Sequence, residues 1–158
     1  MSTDNCVLFL DFDGVTHPQP CFQENVFCRL PLIEAVLRER ELRDVEIVIS
    51  SSWRDHYSLD EMREFFSLDF YRRVIGVTPS ITKPGRNWMP GHEPEFEREW
   101  ECLAWIKTNR PSGTRWLAID DRPYWFRPES KNLLLTDAKF GFSPADAETL
   151  RDMLWERL

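Results

Sequence analysis

VLFLDFDGV, residues 7–15, is the stretch that decides the fold. Four apolar residues in a row are typical of a strand that is covered on both faces of a sheet. The run stops at Asp11 and Asp13, and Gly14 then allows a turn that other residues resist. Two carboxylates are therefore expected at the carboxyl end of a central strand, where ligands bind in open α/β sheets. A solvated turn, in which Asp and Gly are common, is the alternative interpretation of this segment alone.

Two further apolar runs end in polar residues and favour the binding-site interpretation. Residues 116–121 read WLAIDD, and residues 45–52 read VEIVISSS. Carboxylates that lie close together repel one another and raise each other's pKa. A hard divalent cation with oxygen ligands relieves that repulsion, and Mg²⁺ is the usual one. If the three runs are strands of one parallel sheet, one edge of it receives Asp11, Asp13, Ser50, Asp120 and Asp121.

Predicted strands and helices alternate along the chain, which indicates a parallel sheet in an α/β fold. Five strands are expected at about 6–11, 45–50, 73–77, 115–120 and 132–136. Four helices are expected at about 31–41, 58–68, 95–109 and 144–157. A capping box of Ser58 and Glu61 opens the second helix, and Ser143 caps the last. Residues 78–94 are expected to form a long loop rich in Pro and Gly.

The composition is that of one soluble domain. The chain has 158 residues, of which 42% are hydrophobic and 30% charged, and a single domain over residues 1–158 is expected. We find no apolar run of membrane-spanning length and no signal-peptide pattern, so we expect no membrane association and a cytoplasmic location. The four cysteines lack the spacing of a zinc site.

With these motifs in this order, the chain resembles the haloacid dehalogenase (HAD) superfamily of phosphohydrolases. The resemblance rests on DFDGV at residues 11–15, a strand that ends in Ser50, Arg98 on a helix, and the Asp120–Asp121 pair. More narrowly, residues 47–54, 73–79 and 133–137 are similar to small HAD domains, some of them in multidomain RNA-repair proteins. The resemblance covers about residues 7–155 and implies a HAD-like Rossmannoid three-layer sandwich around a five-stranded parallel sheet.

The resemblance also implies a role for each motif residue. Asp11 would be the nucleophile that forms an aspartyl-phosphate, and also a metal ligand. Asp13 would protonate the leaving group and then activate water, and its backbone carbonyl would bind Mg²⁺. Ser50 would donate a hydrogen bond to the phosphoryl oxygens. Asp120 would bind Mg²⁺ directly and Asp121 directly or through water; a helix N-cap with a first-turn acid is an alternative that is compatible with this role.

HAD enzymes also use a cation to offset the charge of the transferred phosphoryl group. Arg98 is the expected cation, and Lys83 is its main rival. A surface salt bridge of Arg98 with Glu101 or Glu95 is the alternative, since charged residues on helices usually face water.

The spacing of the motifs leaves no room for a sizeable cap domain. An open site suits a large substrate, such as a nucleic-acid end or a phosphoprotein, whose own bulk shields the chemistry. The net charge of −7 argues against broad binding of nucleic acid, yet residues 71–92 carry four cations, Arg72, Arg73, Lys83 and Arg86, and no acid.

The stretch 71–92 is expected at the active-site edge, because its loop follows the third strand. Cations with an aromatic residue can hold a polynucleotide strand through phosphate contacts and base stacking. A loop that packs Trp88 onto the domain is the alternative for that segment. For Trp53 and Arg54, a buried Trp beside a surface Arg is the alternative, and His17 is expected to be a loop residue rather than a ligand. The residues expected to contact substrate are Gly14, Ser51, Trp53, Arg54, Lys83, Arg86 and Trp88.

The expected function is thus a Mg²⁺-dependent phosphatase. A phosphomutase would share the same residues, and a non-catalytic metal-binding module on the same fold is a further alternative. A signalling receiver domain also gathers acids around Mg²⁺, but its phospho-acceptor Asp ends the third strand. Here the third strand ends Val77-Thr78-Pro79, which argues against a receiver.

Overall fold

A computed structural model describes residues 5–80 and 96–158. In this part of the chain five parallel strands form one sheet in the order β3-β2-β1-β4-β5. The predicted α/β fold with a five-stranded parallel sheet is confirmed, and each strand is slightly shorter than predicted. The strands are β1 (Val7–Leu10), β2 (Glu46–Ile49), β3 (Val74–Val77), β4 (Trp116–Asp120) and β5 (Leu133–Leu135).

Strand β1 is buried on both faces, as its continuous apolar run predicts. Leu8 and Leu10 pack into the larger core on one face of the sheet. Val7 and Phe9 pack into a second core on the other face. Since side chains alternate across a strand, four consecutive apolar residues supply both cores, and β1 occupies the centre of the sheet.

Helices cover both faces and complete the three layers. The helices are α1 (Leu30–Leu37), α2 (Leu59–Arg63), α3 (Glu97–Asn109) and α4 (Pro144–Trp155). Helices α1, α2 and α4 contribute Ile33, Met62 and Leu150 to the larger core. Helix α3 contributes Cys102 and Trp105 to the other. Among the described residues, none forms a cap domain over the sheet edge.

Two helices end earlier than predicted. Helix α1 ends at Leu37 rather than near residue 41, and Arg40–Leu42 form a separate 3₁₀ turn. The Arg73 guanidinium stabilises this end, because it donates to the carbonyl of Leu37, and it also donates to that of Leu42 in the turn. Helix α2 ends at Arg63 rather than near residue 68, although its capping box of Ser58 and Glu61 is present as predicted.

The remaining boundaries agree closely with the prediction. Helix α4 begins at Pro144 behind the Ser143 cap, and α3 begins at Glu97 after Phe96, whose φ is 57°. Of the predicted loop at 78–94, residues 81–94 lie outside the described ranges. Within residues 5–80 and 96–158, we find no helix with the length and apolar character needed to cross a bilayer.

Candidate active site

Three polar residues lie side by side where the central strands end. Asp11 follows β1, Ser50 follows β2, and Asp120 is the last residue of β4. The backbone N–H of Asp11 donates to the Ile119 carbonyl at 3.2 Å, and that of Ser50 donates to Leu10 at 2.8 Å. Because the strand ladder continues to this point, the register of the sheet fixes the three residues as neighbours.

Asp11, Asp120 and Asp121 form a compact acidic cluster. Each offers one carboxylate oxygen, and these oxygens lie within 4.8 Å of one another. Asp11 and Asp120 are 5% and 1% exposed, so water does little to screen their charges. Burial, and then the neighbouring Asp120, raises the pKa of Asp11 well above its usual value. Burial raises the pKa of Asp120 to about 7, against the opposing effect of Arg98.

Gly14 makes room for this cluster. Its φ is +76°, and a Cβ at this position would overlap the carboxylate of Asp121. Its carbonyl accepts a hydrogen bond from the Thr136 hydroxyl at 2.7 Å, which ties the turn to the chain that follows β5. Gly14 therefore shapes the site through its backbone.

Arg98 reaches the cluster from the first turn of α3. Its Nη1 lies 3.6 Å from Asp11 Oδ1 and 3.6 Å from Asp120 Oδ2, and also donates to the backbone carbonyl of Ser50. Its side chain is 5% exposed, so the interpretation as a surface salt bridge is wrong, although Glu101 Oε1 does lie 3.5 Å from its Nε. The guanidinium also stacks on the ring of Trp125 at 4.7 Å.

Glu101 links Arg98 to a second, partly buried arginine, Arg54. Arg54 Nη2 donates to Glu101 Oε2 at 2.8 Å, and Arg54 Nη1 donates to the Thr78 hydroxyl at 2.9 Å. The Arg54 side chain is only 10% exposed, which contradicts its interpretation as a surface residue. Arg54 therefore lies behind Arg98 and is linked to the acidic cluster through Glu101 and Arg98.

Asp13 lies next to the acidic cluster, but its carboxylate forms hydrogen bonds with two aromatic N–H groups rather than contacts with Arg98. Trp53 Nε1 donates to its Oδ1 at 3.1 Å, and His17 Nε2 lies 2.9 Å from the same oxygen. The hydrogen bond from His17 lowers the pKa of Asp13 below its usual value, and that from Trp53 adds to the effect. His17 is thus a buried partner of Asp13, a role that its position in the sequence did not indicate.

The two serines after β2 differ in what their hydroxyls contact. Ser51 is fully buried, and its Oγ accepts a hydrogen bond from Trp53 N at 3.2 Å, which caps the 3₁₀ turn Ser52–Asp55. Ser50 Oγ has longer contacts only, 3.4 Å to Arg98 Nη1 and 3.9 Å to Cys102 Sγ, within the described residues. The Ser50 hydroxyl therefore remains available for another partner.

A cavity of about 60 Å³ lies beside the acidic cluster. Asp11, Asp13, Arg98 and Asp121 line it, together with Gln19, Ser52, Arg122 and Trp125, to which sequence reasoning assigned no role. The signal for Arg122 and Trp125 was their position within four residues of the Asp120–Asp121 pair. The Arg122 guanidinium stacks on Trp125 at 4.9 Å. The backbone N–H of Arg122 donates to Asp120 Oδ1 at 3.0 Å.

Two interpretations of other residues need correction. The Asp120–Asp121 pair does not cap an α-helix, because β4 is followed by the 3₁₀ turn Pro123–Trp125, whose N-cap is Arg122. Arg72 and Arg73 do not belong to the active-site edge, because they precede β3 and so lie at the opposite end of the sheet. The predicted residues Lys83, Arg86 and Trp88 lie outside the described ranges.

Comparison with known proteins identifies a family for the chain. No curated protein matches the chain significantly, and no solved structure does. A family profile described as "HAD domain in Swiss Army Knife RNA repair proteins" matches residues 7–147 and so includes every strand, helix α3 and the beginning of α4. With its three-layer fold and the polar residues at the ends of β1, β2 and β4, the chain belongs to this family of HAD domains.

Proposed function

We propose that the protein is a Mg²⁺-dependent phosphatase that acts through an aspartyl-phosphate on Asp11. The observation that carries the proposal is the cluster of Asp11, Asp120 and Asp121 with the buried cation Arg98 beside it. Membership of a HAD family supports a hydrolase of this kind.

The residues present fit a hard divalent cation. Three carboxylate oxygens within 4.8 Å suit Mg²⁺, which prefers oxygen ligands. Burial without a full set of counter-charges raises the pKa of Asp11 and Asp120, and a divalent cation would relieve that cost. Asp11, Asp120, Asp121 and the backbone carbonyl of Asp13 would hold the ion. When bound, it supplies positive charge that offsets the repulsion between phosphate oxygens and an attacking carboxylate.

In the first step, a carboxylate oxygen of Asp11 attacks phosphorus as the bond from phosphorus to the leaving oxygen breaks. Asp13 gives its proton to that oxygen. A bound phosphate dianion favours the protonated form of Asp13, against the lowering effect of His17 on its pKa. In the second step, water attacks the phosphorus of the aspartyl-phosphate and Asp13 takes a proton from that water. The bond between phosphorus and the Asp11 oxygen breaks, which releases phosphate and regenerates the Asp11 carboxylate. Arg98 and the Ser50 hydroxyl stabilise the phosphoryl oxygens in both steps.

The proposed substrate is a phosphorylated RNA end. The matched family is described by its occurrence in RNA repair proteins. The cavity of about 60 Å³ admits a small group, so most of a polynucleotide would lie outside it. Arg122, Pro123 and Tyr124 are exposed beside the site, and Tyr124 is 69% exposed, so cation and aromatic contacts are available there. A cytoplasmic location would fit such a substrate.

The test is phosphate release with and without Mg²⁺ from a panel of substrates. The panel contains 5′- and 3′-phosphorylated RNA oligonucleotides, free nucleotides, an aryl phosphate and phosphopeptides. Asp11→Asn should abolish turnover, whereas Asp152→Asn, which removes one charge from an exposed position of α4, should not. Preference for phosphopeptides would overturn the proposed substrate. A phosphorylated isomer in place of free phosphate would indicate a phosphomutase, and Mg²⁺ binding without turnover a non-catalytic module.

A further inference from the structure

We infer that His17 and Trp53 are positioning residues that hold Oδ1 of Asp13, so that Oδ2 is the oxygen that passes the proton to the leaving group. The inference rests on the proposed phosphatase function and deepens it. It assigns different roles to the two oxygens of one carboxylate, which the family resemblance does not do.

Both donors converge on the same atom. Trp53 Nε1 lies 3.1 Å and His17 Nε2 2.9 Å from Asp13 Oδ1. Among the described residues, none donates to Oδ2. Asp13 lines the small cavity together with Asp11, and its side chain is 35% exposed, so one part of the carboxylate is held and another part remains accessible.

The backbone assigns the tautomer of His17. The N–H of Phe27 donates to Nδ1 at 3.3 Å, and the Thr16 hydroxyl lies 3.2 Å from the same nitrogen. A backbone N–H can only donate, so Nδ1 is an acceptor and the ring proton lies on Nε2. His17 therefore donates to Asp13 Oδ1, as the Trp53 indole must.

Packing keeps the two donors in place. His17 is 2% exposed, and its ring packs against the rings of Phe27 at 5.4 Å and Trp53 at 5.7 Å. The Trp53 ring also packs against Phe12 at 5.5 Å and stacks on Tyr57 at 5.4 Å. Because these rings cannot rotate freely, the two N–H groups fix the direction of the Asp13 carboxylate.

The chemical consequence is a carboxylate with two inequivalent oxygens. Oδ1 accepts two hydrogen bonds, and a proton on it would break at least one of them. Protonation of Oδ2 preserves both. General acid catalysis requires the proton within hydrogen-bond reach of the leaving oxygen, so a carboxylate held at Oδ1 presents its proton without a search over rotamers.

The readout is the dependence of turnover on the leaving group. p-Nitrophenyl phosphate has a good leaving group that needs little protonation, whereas the ribose oxygen of a phosphorylated RNA end depends on a proton from the acid. The specificity constant kcat/KM reports the step in which the leaving group departs. A defect in the position of the acid should therefore lower kcat/KM for the RNA phosphate more than for p-nitrophenyl phosphate.

Three variants and one control separate positioning from packing. Trp53→Phe removes the indole N–H and keeps an aromatic ring, and His17→Leu removes the other donor. His17→Gln restores an N–H donor near the position of Nε2. Tyr57→Phe alters the same aromatic cluster without touching Asp13 and serves as the matched control. Thermal unfolding and the Mg²⁺-dependent rise in Tm verify that each variant is folded.

The inference predicts that Trp53→Phe and His17→Leu each lower kcat/KM for the RNA phosphate about tenfold more than for p-nitrophenyl phosphate. His17→Gln should regain part of the loss, and Tyr57→Phe should resemble the wild type. Equal losses on both substrates in folded Trp53→Phe would overturn the inference and leave the phosphatase function intact. If the wild-type protein hydrolyses neither substrate, the proposed function fails, and the inference fails with it.

Discussion

Gly14 and Asp121 occupy adjoining positions that leave no room for a side chain at residue 14. A Cβ there would overlap the Asp121 carboxylate, and the φ of +76° already disfavours other residues. We therefore predict that Gly14→Ala displaces Asp121 and weakens Mg²⁺ binding. Ligand at one hundred times its Kd stabilises a protein by about 2.7 kcal/mol. Thermal unfolding with and without Mg²⁺ should show this gain in the wild type and little of it in the variant.

Gly113→Ala is the matched control for backbone strain. Gly113 also has a positive φ, +87°, but a Cβ added there would meet no described atom within 4 Å. Both substitutions should lower stability by about 1–2 kcal/mol through the backbone. The Mg²⁺-dependent rise in Tm should survive in Gly113→Ala alone. If Gly14→Ala keeps the wild-type rise, the position of Asp121 does not depend on the lack of a side chain at residue 14.

The acidic cluster predicts a stability that depends on pH in the absence of metal. Between the pKa of an unfolded Asp, about 3.9, and about 7 for folded Asp120, the folded state holds a proton that the unfolded state has released. Stability contributed by Asp120 therefore falls as pH rises through this window, and the raised pKa of Asp11 acts in the same direction. Mg²⁺ competes with these protons, so its stabilising effect should grow with pH over the same interval.

Urea unfolding of wild type and Asp120→Asn across this range measures the effect. Asn carries no charge at any pH, so its stability does not fall as residue 120 ionises. Asp120→Asn should therefore become more stable relative to the wild type as pH rises. Glu129→Gln removes an exposed acid and should keep the wild-type profile. A Mg²⁺ effect that is the same at both ends of the range would contradict competition with protons.

Arg98 predicts a large loss of stability when its charge is removed. Arg98→Met would leave Asp11, Asp120 and Glu101 buried without their shared cation. Removing one partner of a buried ion pair costs about 3–5 kcal/mol, because an uncompensated charge remains. Urea unfolding at about pH 8 in metal-free buffer should show this loss, and the loss should shrink at low pH as the carboxylates become protonated.

Arg151→Met is the corresponding control at the surface. Arg151 pairs with Glu39 at 2.6 Å, and the two side chains are 39% and 29% exposed. Exposed pairs contribute about 0–1 kcal/mol, so this variant should lose far less. Equal losses in the two variants would mean that the burial of Arg98 does not set its contribution.

The sequence allowed prediction of those features that depend on strand pattern. The apolar run of β1 indicated burial on both faces, and the polar ends of β1, β2 and β4 indicated one shared edge. Both follow from local periodicity and from the rule that parallel strands end at the same edge. The capping box at Ser58 and the N-cap at Ser143 were recognised for the same reason, since they are local patterns of few residues.

Contacts between distant segments could not be read in this way. His17 and Trp53 meet at Asp13 only because the turn after β1 and the chain after β2 converge there. The separation of these residues along the sequence does not indicate that contact. Arg73 was counted in a basic stretch that was expected at the active-site edge. Its guanidinium instead binds the carbonyl of Leu37 at the end of α1 and that of Leu42 in the turn that follows. The expected position was wrong for Arg73, because the charge of a residue does not indicate which carbonyls its guanidinium contacts.

The neighbouring serines Ser50 and Ser51 supply a last prediction, in which one residue affects activity and the other stability. Ser50 Oγ has only contacts of 3.4 Å or longer among the described residues, so Ser50→Ala should change stability little. If its hydroxyl donates to the phosphoryl oxygens, turnover should fall on the order of 100-fold. Ser51→Ala removes the cap on Trp53 N and should cost about 1 kcal/mol, with a smaller effect on kcat.

Paired measurements of kcat and of the free energy of unfolding distinguish the two serines. Each substitution removes one serine hydroxyl from a buried position, so each variant is the control for the other. A Ser50→Ala variant with full activity would remove Ser50 from the proposed mechanism. Loss of activity in Ser51→Ala that follows its loss of stability would instead indicate that the turn carrying Trp53 must be intact for Asp13 to act.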